Sequence, residues 1–157
     1  MGALISLSRI IEDDWQRLDD DAPIRAGTRV LVSPQRLRDD WVALKDADIE
    51  LGVELAATDF VEDFVDTLDR LSLVVLTFEV FADGRAFSQA RLLRERLGFT
   101  GSIRARGDVL RDQLGFMRRC GFDQFDLADS EEVDLALNAF ADISRAYQPE
   151  LKQSSGV

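Results

Sequence analysis

The chain has 157 residues, a typical length for one domain with its own hydrophobic core. Apolar residues make up 46% of it and charged residues 31%, a balance that excludes disorder of the whole chain. The formal net charge of −11 argues against general nucleic-acid binding, because phosphate affinity depends on basic surface. We therefore expect one domain over residues 1–150 and a disordered C-terminal tail over residues 151–157.

The N-terminal residues and the cysteine count predict a cytoplasmic protein. No basic segment followed by a long apolar run precedes the first acidic residue, Glu12, so a secretory signal is not expected. No apolar run approaches the roughly 18 residues that a transmembrane helix requires, so we expect no membrane association. The single cysteine, Cys120, cannot form an internal disulfide, which fits a reducing compartment.

An N-terminal arm precedes the first predicted strand and helix. Residues 4–18 predict a β arm with Trp15 as its anchor, and residues 29–32 predict a strand. Ser33 is suited to a helix N-cap because Pro34 follows at the first helical position. The apolar residues of this helix recur at the spacing of one buried face: Leu37, Trp41 and Leu44.

Two more strands and a helix are predicted in the middle of the chain. Residues 49–55 alternate apolar and polar side chains, which is typical of a half-buried strand near a sheet edge. Asp59 and Glu62 form a D-x-x-E pattern that predicts the start of a helix. Residues 71–78 are almost continuously apolar, which favours a central strand covered on both faces.

A short unit occurs twice in the second half of the chain. Each copy consists of a helix, a glycine stop, a phenylalanine that folds back on the helix, a strand and an acidic cap. The two stops are Gly98-Phe99 and Gly121-Phe122, 23 residues apart, where a helix C-terminus favours a left-handed glycine. Asp129-Ser130 opens a last predicted helix, which carries Val133, Leu137, Phe140 and Tyr147 on one face and ends before Pro149.

Together these elements predict an α/β protein. About five βα units with right-handed crossovers form a mainly parallel sheet, with the N-terminal β arm beside it. Both an open flavodoxin-like sheet and a partial barrel fit this pattern, because the spacing of the elements does not choose between them.

Positive charge is concentrated in one segment of this acidic chain. Residues 85–119 contain nine arginines and three acids, a local balance of +6, whereas the other 122 residues carry a balance of −17. The segment contains no lysine, and arginine is suited to planar, bidentate binding of carboxylate, phosphate, sulfate or sulfite. We interpret this arginine-rich segment as the main functional surface.

The same part of the sequence resembles a known family. The residues that carry the resemblance are Phe81–Ser88, Ala90–Arg96, Ile103–Ala105, Gly107–Leu114 and Cys120–Asp123. This pattern is similar to the bacterial DUF934 family, and the likeness extends more loosely from about Arg9 to Tyr147. It implies a cytoplasmic bacterial protein of unassigned biochemistry, in a family often labelled as oxidoreductases linked to assimilatory sulfite reduction.

The candidate site lies in the loops that follow three predicted strands. Ligands of a parallel sheet bind at the carboxyl ends of the strands, where free backbone N–H groups of helix N-termini also point. Arginines from two neighbouring loops would meet there and form an anion pocket. The candidate ligand-binding residues are Asp83, Arg85, Arg104, Arg106, Asp108, Arg111, Asp112 and Gln113.

Two other interpretations of these charges stay open. Each arginine taken singly is most simply a solvated or ion-paired surface charge, and Asp108 is most simply a helix N-cap. The cluster could instead dock an acidic protein, or the acidic remainder of a second copy in a homodimer, because arginine is enriched at interfaces.

Residue content excludes several enzyme classes. The sequence has no histidine, which removes Ser-His-Asp and Cys-His catalysis and every histidine metal site. Neither G-x-G-x-x-G nor G-x-x-x-x-G-K-[ST] occurs, so no nucleotide cofactor is indicated. Cys120 falls at a predicted helix C-terminus, where the helix dipole disfavours a thiolate. We expect no metal site, and the sequence identifies neither a cofactor nor a catalytic residue.

These observations favour an accessory or small-anion-binding protein associated with assimilatory sulfite reduction. The expected partner is a sulfite-reduction enzyme or a small anionic ligand, held by the arginine-rich site. Two alternatives stay open. One is an enzyme, such as an oxidoreductase, acting on a small anionic substrate in sulfur assimilation, and the other is an interaction module that docks an acidic protein.

Overall fold

A computed structural model of the chain describes residues 3–56, 58–78, 84–107, 113–127, 136–138 and 140–141. The strands are β1 (Ala3–Ser6), β2 (Ile10–Ile11), β3 (Gln16–Arg17), β4 (Thr28–Val32), β5 (Ile49–Leu55), β6 (Leu71–Phe78), β7 (Ser102–Gly107) and β8 (Gln124–Leu127). The helices are α1 (Pro34–Asp39), α2 (Trp41–Asp46), a 3-10 helix (Val61–Arg70), α3 (Gly84–Glu95) and α4 (Leu114–Cys120).

The described strands form one sheet in the order β2-β1-β8-β7-β6-β5-β4-β3. Strands β3 to β8 are parallel neighbours in chain order, and β1 pairs antiparallel with both β8 and β2. Crossovers of one hand between consecutive neighbours place their helices on one face of the sheet. The sheet is an open, curled half-barrel, so the partial barrel is the correct one of the two predicted arrangements.

Residues 12–15 connect strands at opposite edges of this sheet. The five steps from Ile11 to Gln16 can span at most about 18 Å. Eight strands laid flat would separate the two edges by about 34 Å, because neighbouring strands lie about 4.8 Å apart. The sheet therefore has to curl until its edges approach each other. We call residues 12–15 the strap.

The two faces of the half-barrel differ in character. On the outer face, strand residues such as Val53, Phe78 and Ile103 pack with helix residues such as Phe64 and Leu93 to form the main hydrophobic core. On the inner face lies a separate small apolar cluster, which consists of Leu31, Leu73 and Val75 with the partly buried Trp15. The rest of the inner face is polar, as the site below describes.

The strands and glycine stops of the sequence prediction are confirmed. β6 is a central strand buried on both faces, and the predicted strands at residues 29–32 and 102–105 are present. Gly98 and Gly121 have φ angles of 67° and 117°, in the left-handed region, and the phenylalanine after each is buried. The predicted last helix is described only at 136–138 and 140–141, and the predicted tail at 151–157 lies outside the described residues.

Three local predictions are wrong. Strand β5 lies between β4 and β6 instead of near a sheet edge; its polar residues alternate because Glu50 and Glu54 face the polar inner side. The helix that begins at Pro34 is interrupted at Asp40. Asp59 does not cap the following helix, because its carboxylate accepts a hydrogen bond from the Ala56 N–H at 2.8 Å.

The fold predicts that Gly107 tolerates no side chain. Its φ angle is 98°, and a Cβ atom there would collide with the Phe78 backbone carbonyl of the neighbouring strand. We expect Gly107→Ala to lower the free energy of unfolding by about 2–3 kcal/mol, because strain and collision add. Gly84→Ala is the matched control, since its Cβ would meet open space at the start of α3. Equal urea midpoints for the two variants would contradict this packing.

Candidate functional site

Strand β7 directs two arginines into the half-barrel. Side chains alternate along a strand, so Ile103 and Ala105 point into the main core while Arg104 and Arg106 point to the inner face. Arg104 is only 4% exposed. A buried guanidinium is rare in proteins unless it is paired, so its partners define the site.

Arg104 is held by one residue of the sheet and one of the strap. Its Nε donates to Gln124 Oε1 at 3.0 Å, and its Nη1 donates to Asp13 Oδ1 at 3.2 Å. The Asp13 side chain is 50% exposed, so the ion pair joins a buried cation to a carboxylate that solvent reaches.

Arg106 lies nearer the carboxyl ends of the strands, in a group that we call the rim cluster: Arg17, Glu54, Arg106 and Asp126. Its Nη1 donates to Glu54 Oε1 at 2.7 Å, and its Nε lies 3.8 Å from Asp126 Oδ2. Arg17 donates to the same Glu54 oxygen at 3.1 Å. Two cations thus face two anions, and the cluster as a whole is neutral.

Burial alters the acidity of both rim carboxyl groups. Desolvation raises the pKa of Glu54, and the nearby Arg17 and Arg104 guanidinium groups offset only part of this effect. Desolvation also raises the pKa of Asp126, against the lowering effect of Arg104. Both groups therefore retain a proton to higher pH than an exposed carboxyl group.

A pocket of about 400 Å³ lies between the strap and the inner face. Its lining residues are Arg9, Ile10, Ile11, Glu12, Asp14, Trp15, Arg29, Arg104 and Gln124. We call it the strap pocket. Its volume is within the range of small-molecule sites, and three guanidinium groups face two carboxylates in its wall.

The three arginines of the strap pocket differ in their partners. Arg29 Nη1 donates to both carboxylate oxygens of Asp14, at 2.9 and 3.0 Å, and its Nε pairs with Glu50. Arg104 pairs with Asp13, as described above. Among the described residues, no carboxylate lies within ion-pair distance of Arg9. Arg9 is therefore the arginine of this pocket that has no carboxylate partner among the described residues, whereas Arg29 and Arg104 are already paired.

The structure brings together only part of the predicted site. Arg104 and Arg106 both face the interior of the half-barrel. Arg85 is exposed in the first turn of α3 and Gln113 immediately precedes α4, so both follow carboxyl ends of strands. Four predicted residues lie outside the described ranges: Asp83, Asp108, Arg111 and Asp112.

Other residues of the site were missed by sequence reasoning. The period-2 pattern of residues 49–55 could have placed Glu54 on the face opposite the core. No local signal pairs Asp13 with Arg104, because 91 residues separate them in the chain. No local signal assigns Arg9 or Arg29 to the site either, because both lie outside the arginine-rich segment.

Several arginines of the rich segment lie away from this interior. Arg94 donates to the backbone carbonyls of Phe99, Gly101 and Gly121, which makes it a structural residue between α3 and the next two strands. Three exposed arginines near the C-terminal ends of α3 and α4 form what we call the outer arginine face: Arg91, Arg96, which directly follows α3, and Arg119. The Arg119 guanidinium lies 5.8 Å from the ring centroid of the exposed Phe116.

Residues 52–157 match a protein family described as "Bacterial protein of unknown function (DUF934)". This match covers about two thirds of the chain. The chain belongs to the DUF934 family. No curated protein matches it. The DUF934 region contains the rim residues Glu54, Arg106 and Asp126, together with Arg104 and Gln124, whereas the strap precedes it.

Within the described ranges, no three acidic or cysteine side chains are grouped so that they could hold a metal ion. None of the described helices combines the length and apolar character needed to cross a bilayer.

The raised pKa values of the rim carboxyl groups predict a pH dependence of stability. Because the folded-state pKa of Glu54 lies above its unfolded value, the folded protein binds this proton more tightly, and stability falls as pH rises through that interval. Glu54→Gln mimics the protonated group. We therefore expect the stability of the variant relative to wild type to be greatest above the folded-state pKa of Glu54 and to decrease as the pH falls towards 4.5, the ordinary pKa of a glutamate, measured by urea unfolding.

Glu62→Gln controls for net charge in this experiment, because it removes the same formal charge from an exposed position on the 3-10 helix. If the Glu54→Gln difference were independent of pH, or changed in the opposite sense, the Glu54 carboxyl group would not be desolvated as described.

Proposed function

We propose that this protein binds a small anion in the strap pocket and serves as an accessory protein of assimilatory sulfite reduction. One observation carries the proposal. Three guanidinium groups converge on one pocket of about 400 Å³, one of them buried and another, Arg9, without a carboxylate within ion-pair distance among the described residues. Convergent guanidinium groups of this kind are suited to hold a negatively charged occupant.

Arg104 is the residue suited to anchor that anion. Its guanidinium has five N–H donors in a planar fork, of which two are used in the hydrogen bonds to Gln124 and Asp13. A charge-assisted hydrogen bond from a buried guanidinium is stronger than one in water, because the local dielectric constant is lower. Arg9 and Arg29 lie in the same wall and would approach the anion from the mouth of the pocket.

The described residues favour binding over catalysis. Cys120, the single thiol, is 2% exposed, and burial raises the pKa of its thiol, which disfavours a nucleophilic thiolate. The chain has no histidine to act as a general base near neutral pH. The resemblance to a family linked with sulfite reduction makes sulfite and sulfate the first anions to test.

The proposal predicts selective stabilisation by anions. We expect sulfite or sulfate to raise the melting temperature at constant ionic strength more than chloride does, because a ligand of the folded state stabilises it by mass action. Arg104→Gln should abolish this shift, and Arg9→Gln, at an exposed position, should weaken binding about fivefold without unfolding the protein. Arg38→Gln is the control, because Arg38 pairs with Asp63 on the outer helices.

An equal shift with every anion, or the same shift in Arg9→Gln and Arg38→Gln as in wild type, would overturn the proposed site. The Arg9 variant keeps the test valid even if Arg104→Gln is too unstable to fold.

The outer arginine face favours a second function, the docking of an acidic protein. Its three arginines are exposed beside one acid, Glu95, and the exposed Phe116 adds an aromatic group. Arginine and aromatic side chains are those enriched at protein interfaces. A sulfite-reduction enzyme with an acidic surface is the candidate partner.

Sedimentation with a purified assimilatory sulfite reductase tests this second function. We expect a salt-sensitive complex that Arg91→Glu/Arg119→Glu weakens at least tenfold, because each reversal replaces attraction by repulsion. Arg38→Glu makes one such charge change on another helix and should leave the complex intact. The absence of a complex at low salt would exclude this function for that partner.

A further inference from the structure

The strap places two consecutive carboxylates on two arginines of its own pocket. Asp13 accepts from the buried Arg104, and Asp14 accepts twice from Arg29, which is 46% exposed in its side chain. The strap therefore engages both the buried Arg104 and the half-exposed Arg29 of the pocket. The charges that would hold an anionic ligand already hold side-chain anions of the chain itself.

These two carboxylates can be displaced without unfolding the protein. The Asp13 and Asp14 side chains are 50% and 57% exposed, so each can rotate into water and be solvated there. The Asp14–Arg29 pair is exposed on both sides and is therefore weak. Arg104 is buried, so its pair with Asp13 opens when an anionic group of the ligand takes the place of the Asp13 carboxylate. The strap itself stays attached, because Trp15 packs on the inner apolar cluster and β2 and β3 are paired in the sheet.

We infer that the strap pocket takes a compact small molecule with two anionic groups, and that Asp13 and Asp14 occupy the positions of those groups in the free protein as an internal competitor. This inference rests on the proposed anion-binding function and names its ligand class. One anionic group of the ligand replaces Asp13 on Arg104, and the other replaces Asp14 on Arg29. Arg9 can pair with either anionic group of the ligand.

The geometry explains why two groups are needed. Neighbouring Cα atoms are about 3.8 Å apart, so the carboxylates of Asp13 and Asp14 come from one short backbone step yet reach different arginines. A ligand with one anionic group can displace only one of them and leaves the other pair unchanged. A compact ligand with two anionic groups can replace both, and it fits in about 400 Å³.

Internal competition has a measurable consequence. The apparent affinity of a site is reduced by the fraction of molecules in which the site is occupied by its own side chain. Removal of a competing carboxylate charge should therefore strengthen ligand binding, whereas removal of a residue that contacts the ligand directly should weaken it. The first substitution lowers the dissociation constant of the ligand, and the second raises it.

The test compares three probes by isothermal titration calorimetry on the full chain: sulfoacetate, which carries a sulfonate and a carboxylate, and the single-group anions methanesulfonate and acetate. We expect sulfoacetate to bind wild type at least tenfold more tightly than either single-group anion. Asp13→Asn should tighten sulfoacetate binding about fivefold, and Asp14→Asn should tighten it by a similar factor. Asp63→Asn, which breaks an exposed ion pair on the outer helices, should change nothing.

Arg29→Gln separates the inference from the function on which it rests. We expect this variant to bind sulfoacetate no more tightly than the single-group anions, because one of the two cations that the two-group ligand needs is gone. If sulfoacetate has no advantage in wild type, or if Asp13→Asn and Asp14→Asn weaken binding, the inference is overturned while single-anion binding at Arg104 still stands. If none of the probes binds either wild type or the double variant Asp13→Asn/Asp14→Asn, the proposed anion site itself is overturned.

Discussion

The structure depends on one constraint of chain length. Only four residues join strands that lie at opposite edges of an eight-strand sheet, and their reach is about half the width of that sheet laid flat. The sheet curls because the link allows nothing else. The same link then lies across the opening between the edges, where its acidic side chains meet the arginines of the interior.

The filling of the half-barrel explains why a pocket remains. In a closed parallel barrel, layers of branched apolar side chains fill the interior. Here three such residues, Leu31, Leu73 and Val75, form the inner apolar cluster with Trp15, and arginine–carboxylate pairs occupy neighbouring positions. Buried ion pairs contribute little net stability compared with apolar packing, and the raised pKa of Glu54 reflects the cost of desolvation. A polar interior that stabilises little is consistent with the anion-binding function that we propose.

The sequence allowed the strands and helix ends to be predicted where the signal is local. The continuous apolar run of β6, and the glycines at 98 and 121, depend on neighbours within a few residues. The position of β5 was mispredicted, because alternation was attributed to solvent when it came from a polar interior. The candidate site was found only in part for a related reason. Arg104 and Arg106 stand in one strand, but the contact of Arg104 with Asp13 spans 91 residues and follows from the closure of the sheet.

A double-mutant cycle between Asp13 and Arg104 is the direct test of whether the strap carboxylate reaches the buried arginine. The free energy of unfolding would be measured by urea denaturation for wild type, Asp13→Asn, Arg104→Gln and the double variant. If the strap carboxylate engages the buried arginine inside the curled sheet, the two substitutions are coupled by about 1 kcal/mol or more, because one partner is buried. Strictly additive effects would mean that the strap carboxylate does not reach the buried arginine, and would contradict the account.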